Sequence, residues 1–120
     1  MEYIFQLFAD EKIWPALSEE ESDRILGAYQ AYTQALREAG VYVGGNRLST
    51  TATATTVRVT SDGKTTVLDG PYADTKEQLG GYYVVDVPDL DAALSWAARC
   101  PAASHGTIEV RPIMAVPAAA

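Results

Sequence analysis

The 120-residue chain has almost no cysteine and no cluster of basic residues. Cys100 is its only cysteine, so an internal disulfide is excluded and nothing indicates an oxidising compartment. The formal net charge is -7 at pH 7. Nucleic acid is therefore not expected as a partner, because its phosphates require Lys and Arg side chains.

Long apolar segments and common cofactor motifs are also absent. No stretch approaches the roughly 20 apolar residues of a membrane span, and the first residues lack the basic and apolar regions of a signal peptide. We therefore expect a cytoplasmic protein with no membrane partner. One His and one Cys, far apart in the chain, give no zinc-site spacing. Gly80-Gly81 lacks the surrounding pattern of a phosphate-binding loop, so neither a metal nor a cofactor is expected.

The apolar periodicity predicts alternating strands and helices in one domain that spans residues 1–114. Helices are predicted after Ser18, which forms a capping box with Glu21, and after Asp89. Gly40 is expected to end the first helix. Strands are predicted at residues 3–8, 41–43, 53–60, 65–68, 82–87 and 107–114. Residues 115–120 are expected to form a disordered tail.

The order of these elements is β-α-β-β-β-β-α-β. Asp62-Gly63 predicts a tight turn that makes residues 53–68 a hairpin. Without this hairpin, the order is the β-α-β-β-α-β pattern of ferredoxin-like folds. The predicted class is therefore α+β, a ferredoxin-like split βαβ with an added hairpin. Because two helices on one face leave the other face of the sheet as an unusual apolar patch, we expect two sheets to pack together. The result is a homodimer that forms a dimeric α/β barrel.

The stretch from Asp69 to Tyr83 is predicted to be a functional loop between two strands. It reads Asp-Gly-Pro-Tyr-Ala-Asp-Thr-Lys-Glu-Gln-Leu-Gly-Gly-Tyr-Tyr. Asp69 is either a carboxylate partner for a base or a turn residue that binds nearby backbone N–H groups. Thr75, Lys76 and Glu77 either line a substrate site or position the loop.

Four further residues are candidates for chemistry or binding. His105 is the only histidine, and histidine is the side chain whose ordinary pKa lies nearest neutrality. In the predicted loop before the last strand, it is either a general base or a structural residue. Arg111 either binds a substrate carboxylate or forms a salt bridge at the rim. Tyr29 and Trp14 either pack in the core or face a pocket.

The Asp69–Tyr83 stretch resembles the signature of the YCII-related family, in particular its DGPF branch. In that branch, Asp-Gly-Pro-Phe precedes an acidic residue, Thr-Lys-Glu and a glycine pair. Tyr72 stands here in place of Phe, and Asp74 supplies the acidic residue. The likeness continues through residues 87–94 and 106–112 and covers nearly the whole chain.

This resemblance implies dimeric α+β barrels of the ferredoxin-like type. The broader family has been proposed to be enzymatic through a His–Asp pair in a cleft, and it includes members that eliminate halide from chlorinated aromatic rings. Its histidine lies on the first helix, where this chain has Tyr29 instead, so the mechanism does not transfer whole. The DGPF branch is often encoded beside sigma factors of the extracytoplasmic-function type, which implies a regulatory alternative.

The predicted function is cofactor-independent acid/base chemistry of the lyase or isomerase type on a small aromatic or anionic molecule. Asp69 and His105 are the predicted catalytic pair. The predicted substrate-binding residues are Tyr29, Thr75, Lys76, Glu77 and Arg111. The alternative is a non-catalytic dimer that binds a small-molecule ligand or a regulatory protein partner in sigma-factor-dependent transcription.

Overall fold

Six strands form two separate sheets in the computed structural model, which describes residues 1–116. The larger sheet has the order β2-β5-β1-β6, with strands β1 (Glu2–Ala9), β2 (Tyr42–Arg47), β5 (Gln78–Asp86) and β6 (Thr107–Pro112). The smaller sheet is a hairpin of β3 (Thr55–Val59) and β4 (Thr65–Asp69). All strand pairs are antiparallel. The α+β class is confirmed, and within the described residues the larger sheet stays open rather than closing into a barrel.

Two long helices and two short ones connect the strands. They are α1 (Ile13–Ala16), α2 (Glu19–Glu38), α3 (Leu90–Arg99) and α4 (Ala102–His105). The capping box is confirmed, since the Ser18 hydroxyl accepts from the Glu21 N–H at 3.1 Å and the Glu21 carboxylate accepts from the Ser18 N–H at 3.3 Å. Gly40 follows α2 with a φ of 73°, a left-handed conformation that glycine adopts without steric cost.

The core lies between one face of the larger sheet and the helices α2 and α3. Alternate residues of β1 and β5 point into it, and Phe5, Leu36 and Val85 are fully buried. Each of these side chains contributes about 1.5–3 kcal/mol by leaving water. The Tyr32 hydroxyl donates to the carbonyl oxygen of Trp96 at 2.7 Å, which joins α2 to α3 across the core.

The other face of the sheet and the hairpin are less well covered. Ile4 and Val84 pair across β1 and β5 on the face away from the helices, and both are half-buried. In the hairpin, Val57 is 62% exposed and its cross-strand partner Val67 is 60% exposed. Apolar surface is therefore left open on both features.

Two local predictions require correction. β5 begins at Gln78, four residues before the predicted strand, so the segment between β4 and β5 spans only residues 70–77. His105 is the last residue of the short helix α4 rather than part of a loop. The predicted tail falls largely outside the described residues, which end at 116. No helix among the described residues has the length and apolar character needed to cross a membrane.

Candidate active site

A pocket of about 570 Å³ opens between α2, the sheet and the segments around α1 and α4. Its volume is in the range of small-molecule sites, which combine apolar walls with a few polar groups. Trp14, Ile25 and Leu26 contribute apolar surface. Its polar lining includes Tyr29 and His105, together with Arg47 and two carboxylates, those of Glu11 and Asp23.

Two glycines form part of the pocket lining where β2 and β5 approach closely. A Cβ at Gly45 would lie 2.7 Å from the carbonyl oxygen of Tyr82, and one at Gly81 would lie 2.9 Å from that of Asn46. Both distances are shorter than side chains tolerate, so only glycine fits here without a backbone shift. A β-bulge lies at Gly80, because Leu7 of β1 pairs with Gly81 and Phe8 pairs with Leu79, so that the β1–β5 register shifts between them.

His105 and Tyr29 meet inside this pocket from different parts of the chain. α4 places the His105 ring so that its Nε2 lies 3.4 Å from the Tyr29 hydroxyl oxygen on α2. The tautomer of His105 decides which of the two atoms donates. Trp14 meets the same imidazole edge-on, with ring centroids 5.9 Å apart and an interplanar angle of 84°. The imidazole is thus held between an indole and a phenol.

Burial further favours the protonated form of the Tyr29 phenol. Desolvation is the main cause that raises the pKa of Tyr29 well above its usual value, and nearby Cys100 and Tyr83 act in the same direction. The positive charge of Arg47 acts in the opposite direction without cancelling the effect. Tyr29 therefore presents a neutral O–H group at physiological pH.

A carboxylate ties together the segments that form the pocket rim. The Glu11 carboxylate accepts from the Thr51 N–H at 2.6 Å and from the Thr51 hydroxyl at 2.7 Å. The Glu11 N–H donates to the side-chain oxygen of Gln78 at 2.9 Å. These bonds connect the start of α1 to the segment after β2 and to the start of β5. They hold Trp14 beside the pocket, where the guanidinium of Arg47 lies 5.3 Å from the centre of its ring.

The structure brings together two of the predicted site residues, Tyr29 and His105. The others do not line this pocket. Asp69 is exposed at the end of β4, and Thr75 and Lys76 are exposed in the segment before β5. Glu77 accepts from the hydroxyl of Thr107 at 2.9 Å, and Arg111 is exposed on β6. The catalytic and binding roles predicted for Asp69, Thr75, Lys76, Glu77 and Arg111 stay predictions.

Sequence reasoning missed Arg47 and Glu11 as pocket residues. A usable signal for Arg47 was strand alternation, because Arg47 follows Gly45 by two positions and so shares its face of β2. Nothing local marked Glu11, whose role depends on the later segment that contains Thr51. Within residues 1–116, no three His, Cys, Asp or Glu side chains converge as metal ligands would.

Comparisons with known proteins agree on one family and one fold. The model of the YCII-related domain matches residues 2–117. Uncharacterized protein R00369 of Rhizobium meliloti (strain 1021) is 41% identical over 115 residues, which cover 94% of this chain and 92% of that protein.

A solved structure gives a similar fold. It is the 5-chloro-2-hydroxyhydroquinone dehydrochlorinase TftG from Burkholderia phenoliruptrix AC1100, in complex with 2,5-dihydroxybenzoquinone. The TM-score is 0.50 at 15% sequence identity, and the match covers 95% of this chain and 94% of that chain. At this level of identity the likeness concerns the fold alone.

Proposed function

The chain belongs to the YCII-related domain family, and we propose that it is a small cofactor-independent enzyme that performs acid/base chemistry on a small aromatic or anionic molecule. The contact between Tyr29 and His105 inside the 570 Å³ pocket carries this proposal. The family membership supports the fold, and the acid/base chemistry is inferred from the side chains in the pocket.

The two side chains suit complementary roles in proton transfer. The Tyr29 phenol is neutral at physiological pH, as an ordinary tyrosine is, and burial raises its pKa further. Its O–H group can therefore stabilise or protonate an oxygen that gains negative charge. His105 is the base that removes a proton from the substrate. Their separation of 3.4 Å is longer than an ideal hydrogen bond, as is common for catalytic contacts before a substrate binds.

Two reaction types are compatible with this pair. In an elimination on a chlorinated quinol, His105 takes the proton of one ring hydroxyl and this proton is delivered to the chlorine-bearing carbon, which gives the keto tautomer. Removal of the proton of a second ring hydroxyl then expels chloride and leaves the quinone. In an isomerisation, the proton that His105 takes is returned to another atom of the substrate. Both need only a base and an acid, and both fit a pocket with Trp14 and Leu26 in its walls. TftG is a dehydrochlorinase solved with a planar oxygenated ring, and we propose a planar ring substrate here too.

The proposal includes a finer classification and an assembly. We assign the chain to the DGPF branch because of its Asp69–Tyr83 motif, and we propose a ferredoxin-like dimeric barrel in which two open sheets pack face to face. The sheet order β2-β5-β1-β6 and the half-buried face with Ile4 and Val84 support it. In this assembly the exposed residues predicted from the motif, with Asp69 foremost, are proposed to contribute to a cleft. Light scattering that gives a mass of one chain at micromolar concentration would rule the dimer out.

Turnover assays with paired variants test the enzymatic function. The panel consists of hydroxylated and chlorinated quinol rings, with 5-chloro-2-hydroxyhydroquinone among them, and the readouts are chloride release and ring absorbance. Tyr29→Phe and His105→Gln are each expected to lower kcat by about 10²–10⁴-fold, the usual contribution of one acid or base. Tyr72→Phe is the matched control, because Tyr72 is 80% exposed and outside the pocket. Wild-type turnover in both pocket variants would contradict the proposal, and binding without turnover would favour a ligand-binding module.

A further inference from the structure

Arg47 lines the pocket but has no role in the proton transfer proposed for Tyr29 and His105. It lies at the end of β2 opposite Gly81, which has no side chain, and both residues line the pocket. Its guanidinium lies over the Trp14 ring, and the Trp14 ring also meets His105. One indole therefore connects a cation to the imidazole of the site.

The charge of Arg47 has no carboxylate partner in the described residues. The one ion pair found among residues 1–116 joins the N-terminal ammonium of Met1 to Asp86. Two carboxylates line the same pocket, those of Glu11 and Asp23. Glu11 already accepts two hydrogen bonds from Thr51, and Asp23 is not in the ion pair of the described residues. A guanidinium over an aromatic ring still has in-plane N–H groups that match a planar anion. The pocket thus presents a cation whose donors are open to a ligand.

The surroundings favour a ring-bound anion over a free inorganic one. Trp14, Ile25 and Leu26 give the pocket apolar surface that a small inorganic ion would not use. A ring with a carboxylate or an ionised hydroxyl would cover this surface and present its charge to Arg47. Charge-assisted hydrogen bonds of this kind are stronger than neutral ones and geometrically specific.

We propose that Arg47 is the specificity-determining residue of the pocket and that it selects planar ring substrates that carry an anionic oxygen group. The inference rests on the proposed function, since it names the substrate class of that same site. It assigns the binding of charge to Arg47 and leaves proton transfer to Tyr29 and His105.

Binding of two probes that share a ring and differ in charge tests this role. Benzoate and benzamide have the same ring and nearly the same shape, and titration calorimetry gives the Kd of each for the full chain. Wild-type protein is expected to bind benzoate about ten-fold more tightly than benzamide, which corresponds to one charge-assisted contact. Arg47→Met is expected to remove this preference, and Arg47→Lys, which keeps the charge without the planar fork, is expected to retain part of it.

Arg99→Met is the matched control. The Arg99 guanidinium lies 4.2 Å from the centre of the Trp96 ring on α3, and Arg99 does not line the pocket. Arg99→Met therefore removes a positive charge and an arginine–tryptophan contact, as Arg47→Met does, but outside the pocket. The control should keep the wild-type preference for benzoate. The inference would be overturned if Arg47→Met kept the wild-type preference for benzoate, or if Arg99→Met lost this preference to the same extent as Arg47→Met. It would also be overturned if wild-type protein bound neither probe. The turnover loss in Tyr29→Phe and His105→Gln is measured separately, so the proposed function can stand when this inference fails.

Discussion

Substituting Gly106 by Ala tests how the fold positions His105. Gly106 joins α4 to β6, and its N–H donates to the carbonyl oxygen of Ala102 at 2.8 Å. A Cβ at this position would overlap the carbonyl oxygen of Phe8 and lie 3.1 Å from the Cβ of Ala9. The φ of -153° is open to any residue, so the cost of the change is steric.

The expected magnitude follows from the atoms involved. The clash is with the backbone of β1, which is held by β5 and β6 on its two sides, so it cannot be relieved by rotating a side chain. Inserting a methyl group into such a site costs about 1–3 kcal/mol, or roughly 4–12 °C in Tm at about 4 °C per kcal/mol for a domain of this size. A movement of α4 that relieved the clash would displace His105 from Tyr29. A misplacement approaching 1 Å would lower turnover by roughly 10²-fold.

Gly27→Ala is the control for this prediction. Gly27 lies within α2, and a Cβ there would have nothing within 4 Å. The same substitution is therefore expected to stabilise the protein by up to about 1 kcal/mol, the helix-propensity difference between the two residues. Calorimetric melting of both variants should give Tm shifts of opposite sign. A Gly106→Ala protein that melts with the wild type and keeps its turnover would refute the steric argument.

Three further variants test the helix cap, the buried thiol and the predicted carboxylate. Ser18→Ala removes the acceptor for the Glu21 N–H and should cost about 1 kcal/mol in urea unfolding; an unchanged midpoint would contradict the cap. Burial raises the pKa of the Cys100 thiol to about 11 from 9.0, so the unfolded thiol ionises first. Its contribution to stability should be complete below pH 9 and be lost as pH rises toward 11. Cys100→Ala should make the free energy of unfolding less dependent on pH in this range than it is in the wild type. Parallel curves of unfolding free energy against pH for the two proteins would exclude the contribution of the thiol. In the proposed dimeric assembly, where Asp69 contributes to a cleft, Asp69→Asn is expected to lower turnover without changing the mass in solution, and full activity would remove Asp69 from the site.

The ends of helices and the hairpin turn were predicted well from the sequence, because each depends on the conformation or hydrogen bonding of one or two residues. Ser18 with Glu21 started α2, Gly40 ended it, and Asp89 capped α3 with a bond from the Ala92 N–H at 2.9 Å. Gly63, with a φ of 83°, made the turn of the hairpin. Each of these depends on contacts within a few positions, so it can be predicted without knowing the rest of the fold.

The site was harder to predict because it is built from distant segments. Tyr29 and Tyr32 are three positions apart and so share one face of α2, yet Tyr32 is buried in the core and Tyr29 lines the pocket. Spacing identifies a face but not what covers each part of it. His105 is 76 positions from Tyr29 in the sequence. Arg47 contacts the Trp14 ring from another element, the end of β2. The dense polar motif of residues 69–77 is a local feature of the sequence, and none of these residues lines the pocket.

A crystal structure of the protein soaked with 2,5-dihydroxybenzoquinone is the most direct test of the account. We predict that the ring lies in the pocket beside Trp14, with one of its oxygens about 2.6–3.2 Å from the Tyr29 hydroxyl or from Nε2 of His105, the range of a productive hydrogen bond. A ring bound along residues 69–77, without contact to Tyr29 or His105, would contradict the assignment of the active site.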